Sequence, residues 1–333
     1  MTMSWIFVCI APLIILIGIV GNTLSIIVLL RKAFRHTTMT LYLISLAVID
    51  TTYLMLCVLP MVISLGPIPL PDTFSQSACR LIAFMWGFLP SSASWLIVNL
   101  TLERLGAICF PFQYKDWFTK TRAATGLIIN MLILFIFNGH YILTFELRHD
   151  DHQYLTSYNI SDIASMSQTY TLSNCLNNED ALPVVHKMYI VEMVVSSLIP
   201  FVVMSLSNVD ICVNLYKSKN ISNQSANTAN QSRFKHTSII LGVISITFFI
   251  TTFPLKMINV YVTMAMLYER ANNQYPLLRS CFILLNSINH AYNFFLYCVT
   301  GTKFRNELKA MCGTTASSNV PTNLQALHPT DRH

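Results

Sequence analysis

The sequence predicts an all-α membrane protein, a seven-transmembrane helix bundle followed by a short amphipathic helix. Three observations lead there. Of 333 residues, 53% are hydrophobic and only 11% charged, whereas a soluble domain carries about 25% charged residues. So little charge cannot cover a water-facing surface. Apolar runs recur seven times, at 4–30, 38–65, 80–103, 122–145, 186–215, 237–268 and 276–299. Each is long enough to cross about 30 Å of hydrocarbon as a helix rising about 1.5 Å per residue. Lysine and arginine, finally, are unevenly shared between alternate connections. With the N-terminus outside, the inner segments 31–37, 104–122, 216–236 and 300–333 hold fifteen of them and the outer segments five. This bias orients the N-terminus outward and the carboxyl end inward.

The first run has no basic segment before it and no small-residue cleavage site after it, so it reads as a helix that stays rather than a signal peptide. Within the second run lies Asp50. A carboxylate there is costly unless it faces the bundle and finds partners; Asn22, Asn289 and Asn293 are the candidates from other runs. Their network is either purely structural or a switch whose packing differs between two states.

The third run holds no charged residue over 81–102, and then Glu103 and Arg104 stand side by side. Cys79 lies 25 residues before Arg104, about 37 Å along one helix, so the two belong to opposite membrane faces. Cys79 falls on the oxidising side, where the long outer segment 146–187 offers one partner, Cys175. A Cys79–Cys175 disulfide pins that segment to the top of the third helix; the alternative is two free thiols. The remaining cysteines form no CxxC pair, which argues against a zinc or redox motif. Segment 146–187 also carries a glycosylation sequon at Asn159. Three further sequons, at Asn220, Asn223 and Asn230, fall in an inner Asn/Ser-rich linker and would be idle there.

Glu192 in the fifth run and Lys256 in the sixth are ionisable groups in the outer half of the bundle. They form an ion pair between neighbouring helices, grip a charged ligand, or snorkel to the interface. Trp86, Tyr189, Tyr261 and Tyr275 near the outer mouth either line a wide pocket or belong to an interfacial aromatic belt.

Glu103-Arg104 followed by Pro111 resembles the D/E-R-Y…P signature of class A (rhodopsin-like) G-protein-coupled receptors, with Leu105 in place of the tyrosine. The resemblance covers nearly the whole chain. Gly21-Asn22, the aspartate of SLAVID (Asp50), Pro200 and Pro254 are similar to family markers of the first, second, fifth and sixth spans. NFFLY at 293–297 is similar to the N-P-x-x-Y of the seventh span, with Phe294 replacing the proline. Phe304-Arg305 resembles the start of the inner-leaflet amphipathic helix. The NFFLYC ending is similar to invertebrate neuropeptide (FMRFamide-like) receptors. Departures are Thr252 for the sixth-span tryptophan, a fourth run without tryptophan, Asn208 for a tyrosine, and no acid beside Arg233 and Lys235.

The resemblance implies a receptor domain over 1–299, an amphipathic helix over 300–312 and a disordered cytoplasmic tail over 313–333. It implies a multi-pass plasma-membrane protein whose partners are a heterotrimeric G protein, an extracellular ligand and membrane lipids, with no cofactor and no nucleic acid. Glu103 would hold Arg104 at rest, and Asn293 and Tyr297 would share in the switch. The family often holds sodium near the second-span aspartate, but Ala93 stands where its serine is usual. An aminergic receptor would carry an aspartate at Trp86, and an opsin a lysine within 280–302, where there is none. A peptide ligand fits the long tethered loop; the alternatives are a lipid, nucleotide or other small ligand and, more remotely, a seven-span transporter, although no internal repeat is visible. No nucleophile–base set, phosphate loop or metal cluster suggests an enzyme. Cys312, ending FRNELKAMC, is a palmitoylation candidate.

Overall fold

The computed structural model describes residues 2–34, 37–63, 75–150, 172–177, 179–221, 228–267, 275–311 and 313. Seven long helices form a bundle. The first is Thr2–Leu29. The second runs Thr38–Tyr53 and continues through Leu54–Val58 into Leu59–Ile63. The third, Gln76–Cys109, lies against the second and the fifth. The fourth is Lys120–Asn138, extended by His140–Thr144. The fifth comprises Leu182–Met193, Val194–Leu198 and Ile199–Ile221. The sixth is Thr228–Leu267. The seventh is Tyr275–Ala291 followed by Asn293–Thr300. Six of these helices are long and apolar enough, among the described residues, to cross a membrane. The fourth is the most peripheral: Ile129, Leu132, Ile133 and Ile136 are more than half exposed, the pattern of a helix solvated by lipid rather than water.

Local sequence explains the irregularities. Leu54–Val58 and Val194–Leu198 are π-helical turns, and each ends two residues before a proline, Pro60 and Pro200. A proline ring collides with the carbonyl four residues back and donates no hydrogen bond, so widening the preceding turn relieves the clash. The third helix passes Glu103 and Arg104 and stops only at Phe110, the residue before Pro111, where α geometry is disfavoured. Arg104 is therefore inside the helix, about a turn and a half from its end, rather than beyond it.

The break at Tyr292 has no proline to cause it. In an unbroken helix the His290 carbonyl would serve the Phe294 N–H; here Asn22 Nδ2 of the first helix donates to it at 3.1 Å. A side chain inserted into the backbone ladder is a recognised cause of a kink.

At one end of the bundle, strands Phe145–Asp150 and Leu172–Asn177 pair antiparallel. The Cys79–Cys175 disulfide (S–S 2.01 Å) ties them to the third helix, and Gln76 clamps the first strand by accepting from Leu147 N and donating to Phe145 O. At the opposite end, helix Thr302–Met311 turns Phe304, Leu308 and Met311 to the main apolar cluster, the i, i+4, i+7 stripe of an amphipathic helix.

Candidate functional site

Three polar clusters lie along the bundle, and helix spacing explains each. At mid-depth, Asp50 is 1% exposed. Its Oδ1 accepts from His290 Nδ1 at 2.7 Å and its Oδ2 from Asn293 Nδ2 at 2.6 Å. A carboxylate only accepts, so the imidazole carries its proton on Nδ1. Of the three asparagines expected around Asp50, only Asn293 reaches it. Asn22 acts one step removed, on the His290 carbonyl, and the buried Asn289 Oδ1 has no partner. His290 was missed, although Asn286, His290 and Asn293 stand at i, i+4 and i+7 on one helical face. Asn286 Nδ2 donates to Tyr53 Oη at 2.9 Å. The Tyr53 ring lies 4.1 Å from the His290 ring and 5.7 Å from that of Trp86. A run of direct contacts thus joins the half-buried Trp86 to Asp50. Sodium does not fit here: both Asp50 oxygens already accept hydrogen bonds, one from an imidazole, and Ala93 supplies no oxygen for a hard cation.

Toward the disulfide end, Lys256 and Glu192 form an ion pair, with side chains 8% and 1% exposed. Lys256 Nζ donates to Glu192 Oε1, and Tyr141 Oη donates to Oε2 at 2.6 Å. Both carboxylate oxygens are therefore engaged. Tyr141 comes from the fourth helix, and Gly87 of the third makes room for it. A Cβ at Gly87 would lie 2.2 Å from Tyr141 Cε2 and 2.7 Å from Asn138 Oδ1. The sequence left pairing and ligand contact open for Glu192 and Lys256; the structure pairs them and adds the tyrosine. Tyr261, a pocket candidate, is 53% exposed and stands on the helical face opposite Lys256, Asn259 and Thr263. Its side of the helix therefore points away from the Glu192–Lys256 pair.

At the far end of the third helix, the expected hold of Glu103 on Arg104 is absent. Glu103, 2% exposed, takes hydrogen bonds from Thr38 Oγ1 and from Tyr114 Oη, the latter at 2.9 Å. Tyr114 belongs to the short helix Pro111–Trp117. Burial, reinforced by the Glu103 charge, pushes its phenol above the usual value, which keeps the donated proton in place. Two donors from flanking elements thus share Oε1, while the buried Oε2 has no partner. Arg104 lies against Met39 Sδ instead, its Nε buried without a partner, and no described carboxylate is within ion-pair distance. Tyr297 packs edge-on against Phe304 at 5.8 Å and takes no part in the Asp50 hydrogen bonds. Arg31 and Glu307 pair at 2.6 Å, fastening the connection after the first helix to the amphipathic helix. Asn159 and Cys312 lie outside the described residues.

Comparison with known proteins agrees with this arrangement. The family model of the 7 transmembrane receptor (rhodopsin family) matches residues 21–297. Cholecystokinin receptor type A of Homo sapiens is 40% identical over 112 residues, 33% of this chain and 26% of that receptor. The cholecystokinin receptor of Xenopus laevis is 33% identical over 120 residues, 36% of this chain and 26% of the receptor. A probable G-protein coupled receptor of Caenorhabditis elegans is 24% identical over 309 residues, 88% of this chain and 66% of that protein. The matched part thus spans about a quarter of the length of the cholecystokinin receptors. With the family match running from the first span through the seventh, over a bundle whose third helix carries the disulfide at one end and Glu103-Arg104 at the other, the chain belongs to the rhodopsin-like family of seven-transmembrane receptors.

Proposed function

We propose that the chain is a plasma-membrane receptor that binds an extracellular peptide at its disulfide end and promotes nucleotide exchange on a heterotrimeric G protein at its Arg104 end. The N-terminus is outside and the carboxyl end cytoplasmic. The observation that carries this reading is the separation of Arg104 from Glu103. Thr38 and Tyr114 hold the acid through its Oε1, and the guanidinium, free of any described carboxylate, keeps its planar fork of donors for an incoming carbonyl or carboxylate. When the sixth helix moves outward, that fork faces the groove it leaves. Asn22, Asp50, His290 and Asn293, at the kink of the seventh helix, are the switch whose repacking accompanies the movement.

The ligand class rests on the strand pair tied to the third helix at the disulfide end and on relatives named for the peptide cholecystokinin.

The test is nucleotide exchange in membranes of expressing cells, measured against a panel of amidated neuropeptides that includes cholecystokinin. At least one peptide is expected to raise exchange. Arg104→Ala should lower that response at least about tenfold, a loss of ~1.4 kcal/mol, with binding of the same labelled peptide retained. Exchange driven by a lipid or nucleotide and by no peptide would replace the ligand class; exchange on no heterotrimer would overturn the reading.

A further inference from the structure

The outer half of the sixth helix presents Lys256, Asn259 and Thr263 at i, i+3 and i+7, one stripe about 10 Å long. Both neighbouring helices bond to it. From the fifth, Glu192 pairs with Lys256, and His186 Nδ1 meets Thr263 Oγ1 at 3.2 Å. From the seventh, Arg279 Nε donates to Asn259 Oδ1 at 3.3 Å. Thr263 already donates its hydroxyl proton to backbone carbonyls, so it accepts from His186. The stripe therefore gathers donors from three helices, one turn apart.

Its charges do not balance. Glu192 offsets Lys256, and its two oxygens are fully used by Lys256 and Tyr141. Arg279 has no described carboxylate within ion-pair distance. It is exposed, and its bond to Asn259 holds the guanidinium on the stripe that carries Lys256. Among the described residues, one of its five N–H groups is spent on Asn259, and Lys256 has two of three left once Glu192 is served. What this wall lacks, among the described residues, is a second acceptor bearing negative charge beside Glu192.

We infer that Arg279, propped by Asn259 and backed by Lys256 one turn deeper, is a docking site for an acidic group of the ligand. The inference deepens the proposed function, because it rests on the disulfide end being the ligand's entrance. A carboxylate matches the guanidinium fork in a bidentate pair, and Lys256 adds a second cation below it. The site excludes a ligand that brings only a cation to this wall, since Arg279 would then face a like charge.

The test uses the purified full chain and two small probes of equal size, N-acetyl-aspartate amide and N-acetyl-asparagine amide, at equal ionic strength. Binding to the folded state raises the unfolding temperature. The aspartate probe is expected to raise it more than its neutral counterpart, with the difference saturating as concentration rises. Arg279→Gln, at an exposed position, should fold normally and lose that difference. Asn259→Ala should reduce it while leaving the charge in place. Equal shifts from the two probes, or a difference that survives in Arg279→Gln, would overturn the site. The outcome separates from that of the receptor reading: a charge-selective shift without nucleotide exchange on any heterotrimer leaves the anion site standing and removes the coupling, and the converse result does the reverse.

Discussion

At the scale of single residues, the bundle carries charge inside apolar surroundings and satisfies it unevenly: Glu103 Oε2 and Arg104 Nε are buried without partners. Glu192 is the most fully served, with a cation on one oxygen and a phenol on the other. Such a pair adds less stability than its Coulomb energy suggests, because both ions lose their hydration, but breaking one side strands a buried charge. Lys256→Met is therefore expected to cost ~3–5 kcal/mol, read as a lowered unfolding temperature in detergent. The triple substitution Glu192→Leu, Lys256→Met and Tyr141→Phe removes every polar member together and should recover most of the loss. A triple variant no more stable than Lys256→Met would show that the interaction is worth more than its desolvation. Asp50 follows the same rule with different partners, an imidazole on one oxygen and an amide on the other.

At the scale of elements, close approach decides which side chains can meet. The third and fourth helices come together at Gly87, where Tyr141 and Asn138 occupy the volume a side chain would need. Gly87→Ala cannot be absorbed by the far end of a flexible chain, since the nearest atoms belong to a buried ring. Overpacking of this kind costs about 1–3 kcal/mol. The expected outcome is a lower unfolding temperature and faster hydrogen exchange in His140–Thr144, as Tyr141 is pushed off Glu192. Unchanged exchange there would mean that the fourth helix shifts as a body. The kink at Tyr292 is also an element-scale effect, since it follows from Asn22 of a different helix capturing a backbone carbonyl.

At the scale of the whole molecule, the two ends are chemically distinct. One end has the disulfide-tied strands; the other has Glu103-Arg104, the short helix Pro111–Trp117 and the amphipathic helix. The proposed orientation puts the strands outside. In intact cells, a tag inserted within 151–171 should be reached by antibody, and a tag after His333 only once the membrane is opened. Both tags reached without opening the membrane would reverse or break the topology.

Apolar run length and the placing of Lys and Arg need no partner to act, because each helix meets lipid and each loop meets the membrane field separately. For that reason the sequence alone determined the seven-span bundle, and its motifs the family resemblance; the Cys79–Cys175 disulfide expected from the outer segment is formed in the structure. The partners inside the bundle were beyond it. That His290 rather than Asn289 serves Asp50, that Tyr141 completes the Glu192–Lys256 pair, and that Glu103 turns from its neighbour Arg104 to Thr38 and Tyr114 are contacts between helices far apart in the chain. They depend on how each helix is rotated about its axis and how closely glycines let it approach, and only the tertiary structure decides that.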